Sequence, residues 1–349
     1  MINNSRIAKL IDTLDMHNAS CALVLDPADI LYLTGFRTEA ALIVMKNGIS
    51  IYIGAVNYQE FKEKNGAGIE VIECRSGYPW DDIGARLKGT KTVFDPDSVT
   101  YGFFQKMQKS VEILEPVAEL VSMQRIVKDQ AEIAILREAC SKTAGIVTGI
   151  DPDRWKGRTE KELAGYLEQA SWECGGTGPS FLPVVACGVN SAFPHHVPSD
   201  AIIDGGWLKI DYGISYNGYA SDLTRTFILD KFIDKLNSEE LFSALTYAKE
   251  EAVRYLKPGV SCAEVYEAAR DRLAESGLEQ YFNHGLGHGV GIEVHEKPYL
   301  RKGETLRLEP GMVVTVEPGF YMPGIGGMRE EDMYLINEGG NEQLTRIYQ

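Results

Sequence analysis

WLKIDYGISYNGYASDLTRTFIL (207–229) is the stretch that decides the fold. Two runs rich in β-branched and aromatic residues flank Asn217-Gly218, a dipeptide suited to the positive-φ positions of a tight hairpin turn. That turn sets Tyr216 opposite Tyr219, Gly213 opposite Asp222 and Asp211 opposite Thr224. Asp211 and Asp222 then share one face, diagonally adjacent, with backbones roughly 7–8 Å apart. Two ionised carboxylates so placed repel each other unless a cation lies between them. Gly213 leaves room beside Asp222. Either Asp alone would read as a turn or surface carboxylate; the shared face inside an apolar hairpin argues against that.

A second hairpin follows in MVVTVEPGFYMPGIGGMREEDMYLI (312–336), with its turn at Pro323-Gly324-Ile325-Gly326. Glu317 and Glu331 are nearly symmetric about Gly324, so they too share a face. Arg329 has the strand parity of Glu331 and is placed to orient it by a charge-assisted bond. Glu330 and Asp332 have the opposite parity. Each hairpin therefore brings two carboxylates to one face.

Upstream of each hairpin lies a similar helical segment, GRTEKELAGYLEQASWECGG (157–176) and GVSCAEVYEAARDRLAESG (259–277). Each carries a capping-box pattern, Thr159 with Glu162 and Ser261 with Glu264, and each ends in a helix-stopping Gly. Two copies predict a duplicated αβ unit.

Five of the six histidines fall in two clusters beside these hairpins. His195 and His196 lie in NSAFPHHVP; His284, His288 and His295 lie in HGLGHGVGIEVHEKP. His17 reads as a surface residue. Gly285, Gly287, Gly289 and Gly291 make the second cluster a poor helix and predict backbone packed closely against a neighbour. Four carboxylates and one neutral imidazole balance two divalent cations. Hard oxygen ligands with one nitrogen suit Mn²⁺, and also Co²⁺ or Zn²⁺, better than a thiolate site does. Paired metal ions activate water and polarise a carbonyl, so the expected chemistry is hydrolysis of an amide or related bond.

Outward from these motifs, residues 1–122 alternate strand-like runs with helical patterns. CALVL (21–25), ALIVM (41–45), ISIYI (49–53), IEVIE (69–73) and KTVFD (91–95) read as strands, and SRIAKLIDTLDMHN (5–18) as a helix. A long helical pattern through VKDQAEIAILREAC, with Ile126, Ile133, Leu136 and Cys140 at helical spacing, opens a second domain, 123–349. The fold class is thus α/β (α+β), a small α/β domain before a duplicated catalytic one. The 349 residues carry 50 acidic and 35 basic side chains, a formal net charge of −15. That charge argues against binding nucleic acid or anionic membranes. The segment MINNSRIAKLIDTL lacks signal-peptide features, no apolar run is long enough to span a membrane, and six scattered cysteines read as reduced. A cytoplasmic location is expected.

IDYG with SDLTRT, HGLGHGVGIEVHE, VEPG and GGMREED together resemble the Xaa-Pro dipeptidase (prolidase) and aminopeptidase P metallopeptidases, over nearly the whole chain. The resemblance implies a creatinase-like N-terminal domain, a pita-bread catalytic domain and a homodimer. It implies Asp211, Asp222, His288, Glu317 and Glu331 as ligands of two divalent ions, with Asp222 and Glu331 bridging. It further implies that Glu317 handles the proton of the attacking water and that His195 contacts substrate. His295 would lie near the scissile bond, and Arg329 would support the Glu331 side. The implied substrates are peptides with proline at the second position, a dipeptide being slightly favoured over longer peptides. Phe181, Phe193 and Tyr321 are candidates for the proline pocket. Glu330 departs from the family pattern, which has an apolar residue there; burying it would cost several kcal/mol, on the order expected for an unpaired charge. A creatinase-like amidinohydrolase and a catalytically silent binding protein are the alternatives, and the complete ligand set counts against both.

Overall fold

A computed structural model describes residues 3–65 and 67–346. The chain divides into two compact units, Met1–Arg125 and Ile126–Gln349. The break expected near residue 122 lies three residues earlier than this division.

The first unit is built on a six-stranded mixed sheet. In spatial order its strands are Glu70–Cys74, Gly48–Gly54, Ala40–Met45, Cys21–Val24, Lys91–Phe94 and Ile113–Pro116. The first five in sequence match the strands expected there; Ile113–Pro116 is additional. Its burial is only partial, so its sequence carries no strong apolar run. The helix Asn4–Met16 buries Ile7, Leu10 and Leu14, the residues whose spacing announced it.

In the second unit the long helix runs Gln130–Thr148, starting later than the apolar spacing suggested. Asp129 caps it, accepting from the Ala131 and Glu132 amides, and the Glu132 side chain returns a bond to the Asp129 amide. Ile126 therefore precedes the helix and packs into the core around Trp207 instead.

The duplication is visible in the backbone. Helices Glu160–Glu173 and Cys262–Glu275 both start with a complete capping box. Their caps form equivalent isolated bridges, Thr159 with Ile202 and Ser261 with Arg307. Gly157 donates to Ile203 O and Gly259 to Leu308 O, again at matching positions. Strands Val184–Cys187, Trp207–Asp211 and Thr224–Ile228 form an antiparallel sheet in that order. Strands Gly287–Gly289, Val313–Val316 and Asp332–Asn337 repeat the order, flanked by Glu296–Leu300 and Gly340–Gln343. Each half has its own apolar cluster, and Trp207 of the first half joins that of the second, edge-on to Phe320 at 5.7 Å between ring centroids.

Both hairpins have the register read from their turns. Tyr216 pairs with Tyr219 and Asp211 with Thr224. The second hairpin pairs Gly319 with Arg329 and Val316 with Asp332, centred on Gly324. Both ladders are interrupted where functional carboxylates are expected. The first breaks between Asp211 and Ser215 and between Ala220 and Thr224; the second breaks at 317–318 and 330–331. These breaks turn Asp222, Glu317 and Glu331 out of regular pairing. Gly213 serves a different neighbour from the one expected: a Cβ there would overlap the Ser221 carbonyl oxygen and the Ser180 hydroxyl.

Among the described residues no helix is long and apolar enough to cross a membrane. All six cysteines are free thiols.

Candidate metal centre

Asp211 ends its strand and is buried, with Oδ2 accepting from Arg329 Nη2. Asp222 lies in the first ladder break, its amide donating to Met333 Sδ at 3.1 Å. His288 sits in the strand Gly287–Gly289, which runs so close to its neighbours that only glycine fits on either side. A Cβ at Gly287 would overlap the Thr315 carbonyl oxygen, and one at Gly289 that of Lys297. The glycines thus report close packing, as their spacing indicated. Glu317 and Glu331 come from the two sides of the second break.

These five side chains converge. Among the described residues Asp222, His288 and Glu331 form a group whose ligand atoms all lie within 4.8 Å of one another. His288 Nε2 lies 3.4 Å from Glu317 Oε1 and 3.7 Å from Asp222 Oδ2. His288 Nδ1 lies 3.1 Å from Gly289 O, which only accepts, so Nδ1 carries the proton and Nε2 keeps its lone pair. Burial, with His295 nearby, pushes the His288 imidazole down to about 3, so it is neutral at pH 7. A lone pair aimed at two carboxylates needs a cation between them.

The carboxylates make the same demand. Asp211 Oδ1, Asp222 Oδ1 and Glu331 Oε1 are buried with no hydrogen-bond partner among the described residues. Unsatisfied buried acceptors are costly, and three in one place mark an ion site. Burial and mutual repulsion raise Asp222 and Glu317 well above the usual carboxylate range. Burial and the charge of Asp211 raise Glu331 to about 8. Four carboxylates face the guanidinium of Arg329, a formal excess of three negative charges. The donor set therefore fits divalent cations in the sign of its charge and in its chemistry.

Arg329 acts on a different partner from the one its parity indicated. It contacts Asp211 directly and reaches Glu331 through a hydroxyl. Its Nε donates to Thr224 Oγ1 at 3.0 Å, and Thr224 Oγ1 donates to Glu331 Oε2 at 2.6 Å. The Glu331 amide donates to Thr224 O at 3.1 Å, so one residue of the first hairpin holds both ends of Glu331.

The centre opens into a pocket of about 520 Å³ lined also by His195, His284 and His295. Burial and the Arg329 charge lower His195, and burial and His195 lower His295, leaving both neutral near pH 7. The His295 and His288 rings lie 4.3 Å apart. Of the three aromatic candidates, Phe181 lines the pocket. Phe193 lies outside the lining, largely exposed, its ring stacked on that of His196. Tyr321 is buried behind it. Its oxygen accepts from Arg329 Nη1 at 2.9 Å and lies 3.0 Å from His284 Nε2. His284 had no assigned role in the sequence reading, although its place four residues before His288 was a signal that could have found it.

Residues 134–338 match Metallopeptidase family M24, and residues 6–129 match the Creatinase/Prolidase N-terminal domain. The chain belongs to metallopeptidase family M24. It is 33% identical to the Xaa-Pro dipeptidase of Pyrococcus horikoshii, covering 99% of this chain and 98% of that one. The structure of an Xaa-Pro dipeptidase from Bacillus anthracis superposes with a TM-score of 0.89 at 32% identity, covering 98% and 97% of the two chains. That of an X-Pro aminopeptidase from Thermotoga maritima does so with 0.85 at 28%, covering 98% of each. Membership of this family implies divalent metal ions at the M24 site.

Glu330 of this M24 chain, in the ladder break, is buried, and the cost is offset by pairing. Its Oε1 accepts from the Thr226 amide at 3.0 Å, and its Oε2 lies 3.7 Å from Lys249 Nζ and 3.9 Å from Arg225 Nη1. Asp332 accepts from both cations at 2.7 Å. Two buried acids and two partly buried bases thus close a quartet behind the centre. Arg225 Nη1 also donates to the Glu331 carbonyl at 2.6 Å, tying the quartet to that residue's backbone. Lys249→Ala leaves Arg225 alone against two buried carboxylates. A loss of about 3–5 kcal/mol is expected in urea unfolding; a change below about 0.5 kcal/mol would mean that the quartet contributes little.

Proposed function

We propose that this protein is a dinuclear-metal Xaa-Pro dipeptidase, with Mn²⁺ as first choice and Co²⁺ or Zn²⁺ as alternatives. The observation that carries the reading is the donor-poor cluster of Asp211, Asp222, His288, Glu317 and Glu331, with its three unpartnered oxygens, opening into a histidine-lined pocket. The full-length similarity to Xaa-Pro dipeptidases supports the substrate class. The homodimer and the cytoplasmic location rest on resemblance and composition.

When bound, the ions would supply Lewis acidity at the scissile carbonyl and lower the pKa of the attacking water. Asp211, Asp222, His288, Glu317 and Glu331 would hold them. Glu317, which keeps about 15% of its side chain exposed, would take a proton from water and return it to the leaving proline nitrogen. His195 and His295, neutral and facing the pocket, each keep one N–H to donate to the developing oxyanion. Arg329 fixes Asp211 and, through Thr224, Glu331. Phe181, Leu182, Pro194 and Val197 give the pocket an apolar wall suited to a pyrrolidine ring. An Xaa-Pro amide has no N–H, so its recognition falls on ring shape and on donors to its carbonyl oxygen.

Offering Ala-Pro beside Ala-Pro-Ala to the Mn²⁺-loaded protein tests the proposal. Cleavage of Ala-Pro at a rate at least about tenfold above that of the tripeptide is expected, a difference of about 1.4 kcal/mol in barrier. Preferred cleavage of the tripeptide would make the protein an aminopeptidase, and cleavage of neither would overturn the reading.

A further inference from the structure

Lys209 is a fully buried lysine that the chemistry above does not use. It lies in the strand Trp207–Asp211, two residues before Asp211, so both side chains leave the same face of the strand. Its side-chain amine donates to three backbone carbonyls, Ser191 O at 3.0 Å, Phe193 O at 2.8 Å and Pro194 O at 3.5 Å. It also lies 4.8 Å from the centre of the Tyr321 ring. The amine thus meets three acceptors and the face of an aromatic ring.

All three carbonyls belong to one irregular segment, 188–196, which carries His195. The segment begins as the 3-10 turn Gly188–Ala192 and joins no sheet among the described residues, although the Gly327 amide donates to Ser191 Oγ at 2.9 Å. It is held at two levels. On one side the buried Glu160 accepts from the Cys187 amide at 2.8 Å, Asn190 Nδ2 at 3.1 Å and the Ser199 amide at 3.0 Å, and lies 2.8 Å from His196 Nε2. On the other side Lys209 gathers the carbonyls, and Arg329 Nη1 adds a bond to Pro194 O at 3.4 Å. A buried lysine is expensive, and its own strand does not need these bonds. Their convergence on the residues just before His195 gives the buried amine a purpose.

We propose that Lys209 is a positioning residue, clamping segment 188–196 so that His195 is held at the pocket. The proposal rests on the reading of His195 as a substrate-contacting group. Lys209→Met keeps the length and removes every donor. Measured on the metal-loaded protein with Ala-Pro, it is expected to lower kcat about tenfold or more, with KM changed less, since small misplacements of a reacting group are costly. Metal content is expected to be unchanged, and the amides of 188–196 to exchange faster with deuterium. In a His195→Ala background the same substitution is expected to cost less than about twofold, because it acts through His195. Lys209→Gln, which keeps two N–H donors, is expected to fall between the two.

Independent, multiplicative losses in the double variant would overturn the proposal, as would unchanged exchange in 188–196. If neither Lys209 variant accumulates as folded protein, Lys209 serves the fold as a whole and the proposal also falls. Full activity of His195→Ala alone would instead refute the role of His195, while the exchange measurement still decides whether Lys209 holds the segment.

Discussion

Glu317→Gln is expected to lower kcat for Ala-Pro by about 10³-fold or more at saturating Mn²⁺, within the range that positioned general bases contribute alongside charge stabilisation. Gln has nearly the same volume and reach, so packing is retained. What it lacks is an anionic oxygen able to take a proton. Its amide nitrogen also offers donors where Glu317 Oε1 lies 3.4 Å from His288 Nε2 and Oε2 lies 3.8 Å from Arg329 Nε. The substitution has a second, opposite effect. Glu317 is pushed up by burial and by the charge of Glu331, so removing its charge relieves repulsion. The metal-free variant is therefore expected to melt above the metal-free parent while being inactive when loaded. Full activity would remove Glu317 from the proton-transfer role. Inactivity with a lower metal-free melting temperature would point to misfolding instead.

Chelation is expected to destabilise the protein increasingly as pH rises. Asp222, Glu317 and Glu331 all have folded-state pKa values above those of the unfolded chain. The folded, metal-free protein thus holds protons that the unfolded chain releases. The contribution of these carboxylates to its stability falls as pH climbs from the ordinary carboxylate value near 4.5 toward the Glu331 value of about 8. The lowered histidines His195, His284, His288 and His295 act in the opposite sense below their ordinary value of 6.5. Asp332 and Glu160 have lowered values, so their contributions are lost only as pH falls below that window. Divalent ions take the place of the protons and remove the penalty. At 100 times its Kd each ion adds about 2.7 kcal/mol. Melting temperatures with Mn²⁺ and with chelator should therefore lie close together at pH 5 and well apart at pH 8. Coincident curves at pH 8, or a gap between the two that shrinks as pH rises, would contradict the assignment of these carboxylates as an ion site.

Much of this arrangement was legible in the sequence, for definable reasons. Asn217-Gly218 fixes a turn, a turn fixes register, and register fixes which carboxylates share a face; the pairs Tyr216–Tyr219 and Asp211–Thr224 followed from local geometry alone. The capping boxes at Thr159 and Ser261 were likewise local. Parity says which face a side chain leaves by, but not what waits there. Arg329 was aimed at Glu331 and meets Asp211, 118 residues away, because the first hairpin packs against the second. Glu330 looked like an unsupported buried charge because its partners, Arg225 and Lys249, come from a distant strand and helix. His284 and Lys209 were obscure for the same reason. Each is set by contacts between segments that no sequence window contains.

The interrupted ladders have a kinetic consequence. Asp211 and Asp222 belong to one half of the duplicated unit, and His288, Glu317 and Glu331 to the other. Neither half alone offers a full set of ligands, and Thr224 and Arg329 are among the residues that stitch them together. Parting the halves therefore dismantles the ion site in the same motion. Metal escape and the loosening of one half from the other become a single event, so the rate at which a strong chelator strips the protein should level off at the rate of that opening.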